Sequence, residues 1–127
     1  MGIDFSHTEA HWAYTGFSRF RRALAAYVGI DLDHMSGFKP LGAGDDYQLN
    51  PWSNVTSDLK PLLDHSDCDG ELSPQECQRV APCLRQAIDA VWPSVDGEEP
   101  SYDRVNGLLL AEGMEAAAAA DEPLEFQ

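Results

Sequence analysis

The stretch "HSDCDGELSPQE" at residues 65–76 carries the side chains best suited to binding an ion. Its oxygen donors recur at nearly every second position: Asp67, Asp69, Glu71, Ser73 and Glu76. His65 opens the stretch with an imidazole nitrogen instead of an oxygen. Calcium is a hard cation that takes about six to eight oxygen ligands. The spacing therefore predicts a candidate calcium site, and Ca²⁺ is the one cofactor that the sequence suggests.

The same spacing resembles the calcium loop of an EF-hand, in which an invariant glycine follows the first acidic ligands. If Gly70 is that glycine, four side chains fall on ligand positions: Asp67, Asp69, Ser73 and Glu76. His65 then stands at the first position, where an aspartate normally supplies an oxygen. Three interpretations stay open: a calcium loop completed by Asp64 or water, a metal-free turn before a helix, or a transition-metal site that uses His65.

A second metal hypothesis rests on two histidines near the N-terminus. Ser6 and Glu9 have the spacing of a capping box, which predicts a short helix from about His7. His7 and His11 would then lie on one helix face, where such a pair binds zinc or nickel if a third ligand such as His65 arrives. The alternative is that both histidines serve packing or lie at the surface beside Trp12.

The segments that must position these residues have the sequence patterns of helices. Apolar residues recur at helical spacing at about 17–28, 74–91 and 102–120, and a short helix is expected within 56–65. Residues 31–55 form a long irregular loop, and 120–127 form an acidic tail. We therefore predict a single all-α domain over residues 1–127, with four to five helices and an EF-hand-like helix–loop–helix at about 57–91.

The cysteines do not favour catalysis. Cys77 and Cys83 fall on apolar positions of the predicted helix and are expected to be buried thiols. Cys68 lies between Asp67 and Asp69, and such negative neighbours disfavour the thiolate nucleophile. No phosphate-binding glycine loop or dinucleotide motif is present, so a non-enzymatic protein is favoured over an enzyme.

The charge limits the classes of partner. The net charge is −14, with −2 in residues 1–63 and −12 in residues 64–127. This field repels nucleic acid and anionic membranes and attracts basic protein surfaces. With no basic apolar leader and no long apolar run, a soluble cytoplasmic location is expected.

Three segments resemble a group of small bacterial proteins: "DFSHTEAHWAYTGFSRFR" (4–21), "LLDHSDCDGELSPQEC" (62–77) and "PLEF" (123–126). The resemblance implies a shared design that includes six residues: His7, His11, Trp12, His65, Asp67 and Asp69. This chain departs from the group by an apparent insertion at 39–50 and by Gln127, where similar proteins tend to end in cysteine. The resemblance implies no reaction.

Together these features predict a small acidic protein that acts through protein contacts, with calcium in the 65–76 loop as an added hypothesis. The first alternative is an inhibitor or immunity-type protein that neutralises a basic partner. The second is a His-ligated metalloprotein that uses His7 and His11.

Overall fold

The computed structural model describes residues 2–38, 42–65 and 70–127, and this part of the chain combines helices with short strands. Its α-helices are α1 (Tyr14–Tyr27), α2 (Lys60–Leu63), α3 (Pro74–Val91) and α4 (Tyr102–Ala119). Its strands are β1 (Gly2–Asp4), β2 (His11–Ala13), β3 (Glu71–Leu72) and β4 (Leu124–Glu125). β1 pairs with β2 and β3 with β4, both antiparallel. The predicted all-α class is therefore wrong, because two small sheets make the fold mixed α and β.

The predicted N-terminal helix is wrong for a reason visible in the burial pattern. Ile3 and Phe5 are buried on either side of exposed Asp4, which is the two-residue period of a strand. Ile3 pairs with buried Trp12 across the first sheet. The Ser6 hydroxyl, predicted to cap a helix, instead accepts a hydrogen bond from the amide of Glu125 at 2.8 Å. Pairing with distant segments therefore prevails over the local capping signal.

The helix after β2 begins earlier than its periodicity indicates. Thr15 and Gly16 precede the predicted helical segment, but both lie inside α1. Phe17, Phe20 and Leu24 form the predicted apolar stripe and are fully buried. The rings of Phe17 and Phe20 pack against the indole of Trp12, with 4.6 Å between the centroids of Trp12 and Phe20.

The two long helices match their predictions closely. Ser73 caps α3 with a complete capping box, and the helix continues through Pro82 to Val91. α4 covers almost all of the segment predicted as the last helix. α3 packs along α4, and their buried residues join one hydrophobic core with those of α1: Val80, Leu84, Ile88, Leu110 and Met114 on α3 and α4.

Within its described residues, the segment predicted as a long loop contains two short helical turns and a buried tryptophan. Single 3₁₀ turns lie at Leu32–His34 and Trp52–Asn54. Trp52 is buried, and its indole nitrogen donates to the carbonyl oxygen of Ser36 at 2.8 Å. Across residues 2–38, 42–65 and 70–127, none of the helices has the length and apolar character that crossing a bilayer requires.

Candidate functional site

His65 occupies the corner of the candidate calcium loop. Its Nε2 lies 3.1 Å from the carbonyl oxygen of Glu71. A carbonyl oxygen only accepts hydrogen bonds, so Nε2 carries the proton and donates it. In an EF-hand the carbonyl at this position of the loop points to the calcium ion. In this protein the same carbonyl accepts a hydrogen bond from the imidazole of His65.

Two further contacts hold the His65 ring in place. The ring stacks on Phe126, with 4.0 Å between the centroids. On the other side, a Cβ added to Gly70 would lie 3.0 Å from Cε1 of His65. Gly70 also has a φ of +96°, a conformation that favours glycine. The positive φ thus favours glycine at this position with or without calcium.

The side chains at the end of the loop cap the first turn of α3. The amide of Ser73 donates to Oε1 of Glu76 at 2.9 Å, and the amide of Glu76 donates to Oγ of Ser73 at 3.1 Å. The structure thus brings His65, Glu71, Ser73 and Glu76 into one turn. Asp67 and Asp69, the remaining ligands of the calcium hypothesis, lie outside the described residues. Calcium binding stays a prediction.

The C-terminal segment, predicted as an acidic tail, pairs with the end of the candidate loop. β4 pairs with β3, placing Leu124 opposite Leu72. The amide of Phe126 then donates to the carbonyl of Gly70 at 2.9 Å, and Phe126 is buried. The alternation of Leu124 and Phe126 with exposed Glu125 is a two-residue period that could have predicted this strand.

The two histidines of the second metal hypothesis do not share a helix face. His7 lies in the turn between β1 and β2 with a φ of +65°, and its Nε2 is 3.6 Å from Glu122. His11 lies in β2, where its Nδ1 is 2.8 Å from Oδ1 of Asp4. Each histidine therefore has its own carboxylate, and the helical premise of this metal pair is wrong.

Trp12, the third residue of the N-terminal motif, has a structural role. It is buried against the α1 stripe, and its indole nitrogen donates to Asp103 of α4 at 3.0 Å. The shared design implied by the resemblance thus includes a core residue.

Sequence reasoning missed the role of Arg21. Arg21 belongs to the basic cluster "RFRR" at 19–22, yet it is only 3% exposed. Its guanidinium lies over the rings of Phe17 and Phe38, at 4.9 and 5.3 Å from their centroids. It also donates to the carbonyl of His65, on one side of a cleft of about 420 Å³. Arg21 therefore connects α1 to the start of the candidate loop.

The thiols in the described residues are not activated. Cys77 is fully buried, as predicted, and burial raises its pKa. Cys83 is half-buried, and its pKa is raised first by burial and then by the carboxylate of Asp58. Both shifts disfavour the thiolate that nucleophilic catalysis needs. Cys68 lies outside the described residues.

Exposed acidic residues cluster where α3 passes into α4. Residues 93–101 connect these helices and contain Asp96, Glu98 and Glu99, all exposed, without a basic residue. The basic residues nearest in sequence are already paired: Arg104 is 2.9 Å from Asp89, and Arg85 is 2.6 Å from Glu115. The connection therefore presents uncompensated negative charge.

An apolar cleft of about 300 Å³ lies beside these acids. Val91, Trp92, Pro93 and Val95 contribute its apolar wall, and Glu98 and Glu99 line it as well. Val95 is 51% exposed, so this wall is open to solvent. Apolar surface and negative charge thus meet at one end of the α3–α4 pair.

No protein-family model, curated protein or solved structure matches this chain. The resemblance to small bacterial proteins is untested by these comparisons and stays a prediction. What the chain does must therefore be argued from its own fold and surface.

Proposed function

We propose that this is a non-enzymatic acidic protein that acts by binding a basic protein surface. The observation that carries the proposal is the uncompensated charge of Asp96, Glu98 and Glu99 on the α3–α4 connection. Arg85 and Arg104, which could have neutralised it, are held by other carboxylates. The negative charge is thus available to a second molecule.

Physical reasons favour a protein as this second molecule. A net charge of −14 attracts positive surfaces over a distance of about 10 Å at ordinary ionic strength and speeds their association. The same field repels phosphate backbones and anionic lipids, which disfavours nucleic acid and membranes as partners. An inhibitor or immunity-type protein that covers a basic surface is the class that fits best.

Charge reversal at two positions tests the proposal. The double variant Glu98→Lys with Glu99→Lys should lose a partner that the unaltered protein captures from lysate by cross-linking. Asp45→Lys with Asp46→Lys is the matched control, because these residues are also exposed and the change in net charge is the same. The captured partner is then purified, and its affinity for all three proteins is measured by calorimetry at low and high salt.

The proposal predicts a basic partner whose affinity falls steeply with salt and with the Glu98/Glu99 reversal, while the control changes it little. A partner that binds the reversed variant as tightly as the unaltered protein would refute the proposal. Equal losses in both variants would also count against it, because the effect would then follow net charge alone.

A further inference from the structure

We infer that the cleft at the α3–α4 end receives an apolar side chain from a basic segment of the partner. This inference rests on the proposed function and specifies the chemistry of the partner. The cleft has a volume of about 300 Å³, at the small end of protein ligand sites, which suits one or two large side chains. The partner segment would thus carry an apolar anchor with Lys or Arg on either side.

The wall of the cleft is fixed before the partner arrives. The indole of Trp92 stacks on Phe20 of α1, with 5.1 Å between the centroids and 11° between the ring planes. The carbonyl of Trp92 accepts a hydrogen bond from Arg104 at 2.8 Å. A preorganised wall loses little entropy when an anchor side chain packs against it.

The charges around the cleft select a basic neighbour for that anchor. Glu98 and Glu99 line the cleft and are exposed. A lysine or arginine next to the anchor would meet both.

The same charges disfavour a second copy of this chain as the occupant. In a symmetric dimer through this cleft, Glu98 and Glu99 would face the same two acids of the other copy. Like charges that face each other across an interface cost several kcal/mol. A basic segment of another protein is therefore the occupant that the cleft fits.

Three short peptides provide the test. The first has a central leucine flanked by lysines, the second replaces leucine with serine, and the third replaces the lysines with glutamates. Each is labelled with a fluorophore, and its dissociation constant is measured by anisotropy. The leucine–lysine peptide should bind about tenfold or more tightly than the serine–lysine peptide, because it buries a leucine. The leucine–glutamate peptide should bind weakest.

Substitutions in and away from the cleft test whether the peptides bind there. Val95→Ser should weaken binding of the leucine–lysine peptide several-fold and leave the serine–lysine peptide unchanged. Val105→Ser is the matched control, because Val105 is a similarly exposed valine (40%) that does not line this cleft. Glu98→Gln with Glu99→Gln should weaken both lysine peptides, and Asp45→Asn with Asp46→Asn should weaken neither.

The outcomes separate the cleft from the proposed function. If both lysine peptides bind equally and Val95→Ser has no effect, the cleft inference is overturned while charge recognition stands. If the leucine–lysine peptide does not bind, the cleft inference is overturned as well. If the leucine–glutamate peptide binds as tightly as the leucine–lysine peptide, the charge argument fails, and the proposed function fails with it.

Discussion

Gly113 illustrates how one residue of α4 is chosen by packing and not by helix propensity. Glycine in the interior of a helix ordinarily costs about 1 kcal/mol relative to alanine. In the structure, a Cβ at this position would lie 2.7 Å from Cβ of Thr8, in the turn between β1 and β2. The hydroxyl of Thr8 also donates to the carbonyl of Leu109 at 2.8 Å. Gly113 therefore lets the N-terminal turn approach the helix backbone.

We expect Gly113→Ala to destabilise the protein by about 1–3 kcal/mol, because the added methyl group overpacks the contact with Thr8. Helix propensity alone predicts a gain of about 1 kcal/mol, so the two explanations differ in sign. Urea unfolding followed by circular dichroism measures the change. Ala116→Gly, at an exposed site on the same helix, is the control and should cost about 1 kcal/mol. A more stable Gly113→Ala variant would contradict the packing argument.

His65 is the other residue that sets a local structure. Its imidazole donates to the Glu71 carbonyl and stacks on Phe126, so it holds the turn and the C-terminal strand together. A calcium ion in an EF-hand loop organises the same carbonyl through coordination. His65 therefore contacts the same carbonyl that a calcium ion would bind in an EF-hand loop.

We expect His65→Asp to gain calcium binding, because it supplies an oxygen at the first loop position and frees the Glu71 carbonyl. Calorimetric titration should show calcium heat at a lower calcium concentration for this variant than for the unaltered protein. His65→Ala is the control, since it frees the carbonyl without adding a ligand. A folded His65→Asp variant that binds calcium no more tightly than the unaltered protein would refute the comparison with an EF-hand.

At the scale of elements, the residues at the start of α3 determine where this helix begins. Ser73 and Glu76 exchange two hydrogen bonds, and Pro74 stands at the first helical position. α4 begins with a simpler cap, in which only the hydroxyl of Ser101 accepts from the amide of Arg104 at 3.1 Å. The two serine caps can therefore be compared within one protein.

We expect Ser73→Ala to lower the free energy of unfolding by about 1 kcal/mol, because it leaves the amide of Glu76 without its cap. Ser101→Ala should cost less, because its cap is exposed and water can replace the hydroxyl. Urea unfolding of both variants gives the comparison. Equal costs for the two serines would contradict the argument that exposure weakens the Ser101 cap.

At the scale of the whole molecule, an ion pair joins the two long helices. Arg85 of α3 donates to both carboxylate oxygens of Glu115 of α4, at 2.9 and 2.6 Å. Hydrogen bonds from Arg85 lower the pKa of Glu115 below its ordinary 4.5. The stability from this pair is therefore fully present above pH 4.5 and is lost as the pH falls through the lowered pKa.

We expect Arg85→Gln to cost up to about 1 kcal/mol at neutral pH, because both side chains are well exposed and solvent screens the pair. This cost should disappear in strong acid, where Glu115 is protonated with or without Arg85. Urea unfolding across this pH range measures the difference. Arg79→Gln is the control, since Arg79 is also exposed on α3. A cost that is equal at both ends of the range would assign the effect to packing of the arginine stem.

The sequence by itself determined the elements whose signals are local. The capping box of α3, the apolar stripe of α1 and the extent of α4 depend on residues within one or two turns of each other, so periodicity and caps predicted them. The acidity of the second half, which carries the proposed function, also follows from composition alone.

Only the tertiary structure decided the elements whose hydrogen bonds span the chain. Ser6 caps no helix because its hydroxyl meets the Glu125 amide, and a pairing between residues so distant leaves no local periodic signal. For the same reason the sequence could not place Phe126 on His65 or bury Arg21 between two rings. A two- or three-residue strand gains its stability from its partner strand and the core, and the partner is specified only by the fold.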